Sequence, residues 1–344
     1  MKENKYGWWM HTVGLTVGIG ILVLLIYHSG FERFWQLVSR ISLSRLGAAI
    51  LLYALSWAAR TWRLRLFTRQ AGKELKIGDL FKLQVSGFAL NVLLPAKLGD
   101  LAFIGYLKMR GIRLGRAAAI ALQNRILDLL AVLLLALPGM FRLVRRSLVS
   151  SQSAPPWAAV SFALGLTALV VVFGLVILDR RLKLSHLLRR WGEGKKTRWL
   201  RTAVSKIDDA YVGYHEIVRD RRLLGGSILL SLVIWCFEAL TCLTVVTALG
   251  RRISLAAVML GVCLANVGKS VPPIPGGLGI YEGILAAVLV LFGLPFEAAV
   301  AAAVLDALLK KGFNLVWGIP ATAVMGVQLK EVVRMAQKAG KGEE

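Results

Sequence analysis

Long apolar stretches alternate with short basic ones along most of the 344-residue chain. The first apolar run covers residues 12–27 and carries Gly14, Gly18 and Gly20, small residues that let another helix approach closely. Residues 31–45 place apolar side chains at helical spacing among polar ones, the pattern of a helix lying in a membrane interface. Further apolar runs over 46–67, 117–137, 157–178, 223–249 and 298–325 read as spans. The third is expected to end at Pro138-Gly139, because proline has no N–H for the helical ladder. The arginines in the stretch that follows, 141–156, fit an outer loop poorly.

Two further apolar stretches are broken. Residues 80–110 are interrupted at Pro95 and Gly99, with basic residues at and around both ends (Lys76 and Lys82 at the first, Lys108, Arg110, Arg113 and Arg116 at the second). A segment with cytoplasmic signals on both sides enters and leaves by one face, which predicts a re-entrant helical hairpin. Residues 254–293 are interrupted by PPIPGGLGIYEG, three prolines and four glycines within 272–283. Both breaks contain P-x-x-L-G, at Pro95–Gly99 and Pro275–Gly279, with an acid close by, Asp100 and Glu282. The expected fold is an all-α polytopic membrane protein of about six full transmembrane helices plus two broken hairpins in an inverted repeat. Its parts are a first half over 1–178, a basic segment over 179–222, a second half over 223–328 and a charged tail over 329–344.

Composition supports the class: 57% of residues are hydrophobic and the mean hydropathy is +0.65. The net charge of +24 would suit nucleic acid. The basic residues lie in loops and at helix ends, so anionic lipids at a cytoplasmic surface are the expected partner and nucleic acid is not. Residues 179–222 hold thirteen Lys/Arg against six Asp/Glu, and the cluster Arg60, Arg63, Arg65 and Arg69 reads in the same way. Both termini are then cytoplasmic in a plasma-membrane protein. The basic, apolar start lacks a small-residue cleavage site and reads as a retained helix. Cys236, Cys242 and Cys263 lie in apolar segments without metal spacing, so no metal or cofactor is expected.

Ionisable residues inside apolar segments are costly, and they point to function. Asn124, Arg125 and Asp128 share one helical face, either as an internal Arg125–Asp128 pair or as ligands. Asp306 precedes Lys310 by one turn, Asn266 precedes Lys269 by about one turn, and Asn91 and Lys97 flank the first break. Glu238 stands alone in its span and requires a partner from another helix. Gly276, Gly277 and Gly279 would let an anion approach the N-terminus of a half-helix, with Glu282 in its first turn beside a cation such as Lys269. The alternative is that the breaks only kink packed helices.

The motifs NVLLPAKLGDLAFIGYL, NRILDLL and PPIPGGLGIYEG together resemble the lysylphosphatidylglycerol synthase transmembrane-region family. This chain departs from the usual motifs at Phe103 or Ile104 and at Tyr281, where the family usually has arginine, and at Asn124, where it usually has glutamate. The resemblance implies lipid translocation, with a membrane lipid as substrate and Lys97, Lys269, Arg125 or Lys310 as counter-charges to its phosphate. Asp100, Asp128, Glu282 and Asp306 would balance those cations or contact an amine. No aminoacyltransferase domain is expected, and a separate lipid-synthesising enzyme is an expected partner. No G-x-S-x-G, P-loop or metal cluster is present, so the expectation is a transporter and not an enzyme. The rivals are an ion-coupled transporter of a small anion, a membrane enzyme acting on a lipid-linked phosphate, and a scaffold for a synthase.

Overall fold

A computed structural model describes residues 5–94, 98–149, 219–269 and 275–325. These contain ten α-helices and no strand: α1 Lys5–Ser29, α2 Phe31–Ser39, α3 Leu43–Gln70, α4 Ile77–Leu93, α5 Leu98–Met109, α6 Leu114–Val149, α7 Arg221–Ala248, α8 Leu255–Gly268, α9 Ile280–Leu291 and α10 Phe296–Val324. The expected span over 157–178, most of the basic segment and the tail lie outside the described residues, as do Pro95 and Lys97. The chain is an all-α membrane protein. α6 and α7 are each long and apolar enough to cross a bilayer, and α1 with α2 adds a third candidate, bent by 89°. Large apolar side chains stand on the outer surface, among them Leu24, Leu51, Leu308 and Val316, where lipid tails would cover them.

α2 is the expected amphipathic helix, with Phe34 buried and Phe31 and Trp35 exposed. α3 covers the second expected span. Its basic C-terminal turn is tied down outside by Glu74, which accepts from Arg69 and from Arg65 at 3.3 Å. The Arg69 hydrogen bond is the main reason the Glu74 carboxyl sits below its ordinary range. Arg60 and Arg63 do not belong to that surface cluster. They lie on the face of α3 that carries Trp57, Leu64 and Phe67, and all five are buried. The expectation of a single cytoplasmic cluster fails because helical periodicity splits it between two faces.

The expected end at Pro138 is also corrected, for α6 continues through Pro138 to Val149. A proline costs one ladder bond, and tight packing beside it holds the helix together. A Cβ on Gly139 would meet Ala256 and Leu260 of α8, so the two backbones approach there as closely as glycine permits. The three arginines that fitted an outer loop poorly, Arg142, Arg145 and Arg146, therefore all lie in the last turns of α6.

Each broken segment forms a helical hairpin. α4 has 17 residues, α8 has 14, and α5 and α9 have 12 each. At 1.5 Å per residue none reaches the ~30 Å of a hydrocarbon core. α4 packs back on α5 where Gly87 meets Gly99, and α8 packs on α9 where Gly261 meets Leu285 and Gly268 meets Ile284.

The helices then pair crosswise. α10, which follows the second hairpin, packs on α4 of the first, with Gly318 against Val85 and Ala89. α6, which follows the first hairpin, packs on α8 of the second. α3 and α7, 28 residues each, lie against one another. This exchange of equivalent partners is what a pseudo-twofold between α3–α6 and α7–α10 produces. α1 stands outside the pairing and covers the second break.

Candidate functional site

The second break meets the end of the first hairpin's leading helix. Pro275–Gly277 forms a 3₁₀ turn against the C-terminal end of α4, where a Cβ on Gly276 would touch the Val92 backbone. Gly276 and Gly277 both have φ of +60°, a left-handed conformation that side-chain-bearing residues rarely adopt. That turn ends one wall of a cavity of about 550 Å³. Five cations line it, Arg60, Arg125, Lys269, Lys310 and Lys311, against two carboxylates, Asp128 and Glu238. Asn91, Asn266, Asn314 and Tyr53 add uncharged polar groups, and Phe88, Val92, Leu129, Val132 and Trp235 add apolar wall. A second cavity of about 240 Å³ shares Arg60, Phe88, Arg125 and Asp128 with the first and reaches Asp100 and Asn124.

The base of the cavity is a chain of buried ion pairs. Arg63 meets Asp128 at 2.7 Å, and Arg60 reaches the same carboxylate at 3.7 Å and Glu238 at 2.8 Å. Lys310 then lies 3.0 Å from Glu238 and 3.0 Å from Asp306. Two neighbouring side chains also donate to these carboxylates. Trp235 donates to Asp128 at 3.3 Å, and the Tyr281 hydroxyl donates to Asp306 at 2.6 Å. Lone charges of this kind would be very costly in a membrane interior, and shared pairing is what makes them tolerable.

The positions of these residues follow the pseudo-twofold. Arg60 is the eighteenth residue of α3 and Glu238 the eighteenth of α7. Asp128 is the fifteenth residue of α6 and Lys310 the fifteenth of α10. Equivalent positions therefore carry opposite charges. Arg60 with Asp128 in one half corresponds to Glu238 with Lys310 in the other, and the Arg60–Glu238 pair joins the halves.

The hairpins repeat a second arrangement. Asp100 is the third residue of α5 and Glu282 the third of α9, where a carboxylate favours the helix N-terminus. Each meets a cation from the following long helix. Arg125 donates to Asp100, which also accepts from Asn91 at 2.9 Å, and Lys311 lies 2.8 Å from Glu282. Asn91 and Asn266 each stand third from the end of the leading helix.

Several sequence expectations find their places here. Asn91, Arg125, Asp128, Asn266, Lys269, Gly276, Gly277 and Lys310 line the larger cavity, and Asp100 and Asn124 line the smaller. The one-turn pair Asp306–Lys310 forms, and Glu238 finds its partners on α3 and α10. Arg125 and Asp128 do not pair with each other, because Asp100 and the α3 arginines lie in better geometry. Glu282 takes Lys311 and not Lys269. Glu282 and Asp306 stand behind the cavity wall, 2% and 0% exposed. Gly279 faces α1, where a Cβ would meet Gly18 and Ile21, so it serves helix packing.

Arg60, Arg63, Lys311, Tyr281 and Trp235 are not among the site residues expected from the sequence. Their signal was weak but present. Arg60 and Arg63 sit three apart inside an apolar run, and partnerless Glu238 demanded a cation from another span.

Residues 12–318 match the family described as the lysylphosphatidylglycerol synthase TM region. Glycosyltransferase AglD of Haloferax volcanii is 24% identical over 95% of this chain and 58% of that protein, so the chain spans little more than half of that relative. A UPF0104 membrane protein of Pyrococcus horikoshii is 24% identical over 86% of this chain and 91% of its own length. One from Methanothermobacter thermautotrophicus is 24% identical over 82% and 86%.

Proposed function

The chain belongs to the lysylphosphatidylglycerol synthase transmembrane-region family, and on that footing we propose that it is a lipid translocase of the plasma membrane. The observation that carries this reading is the larger cavity: about 550 Å³ between two broken hairpins, lined by five cations and two carboxylates. A lipid phosphate fits such a lining. The apolar side chains of the same wall suit the start of the acyl chains, which stay in the bilayer. The pseudo-twofold supplies a means of movement, since exchanging the conformations of the halves would present the cavity to the other leaflet. On this reading the residues of the site bind and release a head group and perform no covalent step. The basic segment 179–222 and both termini face the cytoplasm and meet anionic lipids there, and a lipid-synthesising enzyme is a natural neighbour.

The test is reconstitution of the purified protein in vesicles that contain a head-group- or tail-labelled phospholipid, with an impermeant quencher added outside. Translocation should carry the quenched fraction well above the half that sits in the outer leaflet, and a reversed charge at Lys310 should abolish the gain. If no labelled lipid moves but a soluble anion such as phosphate enters the vesicles, the protein is an ion transporter and the reading fails.

A further inference from the structure

Lys269 stands at the C-terminal end of α8, just before the second break. Among the described residues, the other cations around the cavity each have a carboxylate partner. Arg60, Arg63 and Lys310 are matched in number by Asp128, Glu238 and Asp306, and the hairpin pairs Arg125–Asp100 and Lys311–Glu282 cancel one by one. Among the described residues, Lys269 alone in this network lacks a carboxylate within ion-pair distance. Its ammonium lies 5.1 Å from the centre of the Tyr281 ring, a weaker contact than an ion pair. It is half-buried and lines the cavity, and a Cβ on Gly277 would collide with its side chain, so the turn is packed against it.

Resting on the lipid-translocase reading, we infer that the cavity takes a lipid whose head group carries one negative charge, a phosphodiester with an otherwise uncharged, hydroxyl-bearing remainder. Among the described residues the site holds one excess cation, and in a low-dielectric site one negative charge neutralises it. A zwitterion brings a second cation into a site already positive, and a phosphate monoester brings up to two negative charges and leaves the excess unmatched. The uncharged polar lining, with the Tyr53 hydroxyl donating to Asn314 at 3.1 Å and Asn91 and Asn266 beside the breaks, suits hydroxyl groups better than a second charge. Two sources supply this chemistry, a glycerophospholipid such as phosphatidylglycerol and an isoprenoid phosphosugar.

The experiment titrates purified full-length protein in detergent with phosphatidylglycerol, an isoprenyl phosphoglucose, phosphatidylcholine and phosphatidic acid. Bound lipid is read by native mass spectrometry, and each lipid is also run in the vesicle translocation assay. At least one phosphodiester monoanion should bind about tenfold or more tighter than phosphatidylcholine and tighter than phosphatidic acid, and the better of the two identifies the source. Lys269→Gln should erase that preference while melting temperature holds, and Lys269→Arg should keep it. Equal binding of phosphatidylcholine, tighter binding of phosphatidic acid, or an unchanged preference in Lys269→Gln would overturn the inference. If a zwitterionic or dianionic lipid is the one translocated, the translocase reading stands and the charge inference falls. If no lipid binds or moves, both fall.

Discussion

The first half, α3 to α6, and the second, α7 to α10, share a path but not a charge. α5 and α9 are each 12 residues long with an acid third, and each acid meets a cation on the next helix. At the junction of the halves the correspondence inverts, with Arg60 and Asp128 in one and Glu238 and Lys310 in the other. The inversion has a physical reason. At a twofold axis a side chain meets its own counterpart, so identical charged residues would face like charge in a low-dielectric interior. Opposite charges at equivalent positions turn that repulsion into the 2.8 Å Arg60–Glu238 pair. The hairpins differ more gently. Arg125 and Asp100 have side chains 47% and 34% exposed, whereas Lys311 and Glu282 are 17% and 3% exposed. The first pair is open and the second is enclosed.

The largest effect is expected at the junction. Glu238→Gln leaves Arg60 and Lys310 short of a shared counter-charge, and breaking a buried pair in this way costs about 3–5 kcal/mol. Thermal unfolding in detergent should show it, and a near-wild-type melting temperature would mean that the halves are held by packing alone. Reversing only the central pair, Arg60→Glu with Glu238→Arg, should not restore stability. The new glutamate would face Asp128 and the new arginine Lys310. Full rescue by that double change would show that the inverted positions are not coupled.

The contrast between the hairpins predicts smaller and unequal effects. Glu282→Gln strips a partly buried lysine of its carboxylate and should cost about 1.5–3 kcal/mol. Asp100→Asn opens a half-exposed pair and should cost about 0–1 kcal/mol. Both should lower lipid translocation. If Asp100→Asn destabilises the protein as much as Glu282→Gln, the difference in exposure of the two pairs does not set their strength.

Much of this organisation was legible in the chain. The two Pro-Gly breaks, the acids beside them and the helical hairpins follow from local rules, because proline and glycine act on the backbone next to them. Glu238 without a neighbour likewise announced a cross-helix partner. What could not be read is pairing at a distance. The one-turn spacing of Arg125 and Asp128 favours a local pair, yet Asp100 and the α3 arginines win because the fold brings them closer. Arg60 and Arg63 look like the start of a surface cluster, since only the inner face of α3 separates them from Arg65 and Arg69. Pro138 looks like a helix end, since nothing near it in sequence reveals that α8 supports Gly139. Charge inversion between halves is invisible until the helices are superposed by position.

The central claim is that the lipid head group rests where the second break meets the end of α4. It is tested most directly with a phospholipid that carries a photoreactive group on its head, cross-linked to the protein in vesicles and mapped by mass spectrometry. Cross-links that an excess of unlabelled lipid competes away should fall on the ends of α4 and α8 and on the turn between them, around Asn91, Val92, Lys269 and Gly276. Competed cross-links found instead only on the outer surface, at residues such as Leu308, Val316 or Trp317, would contradict it.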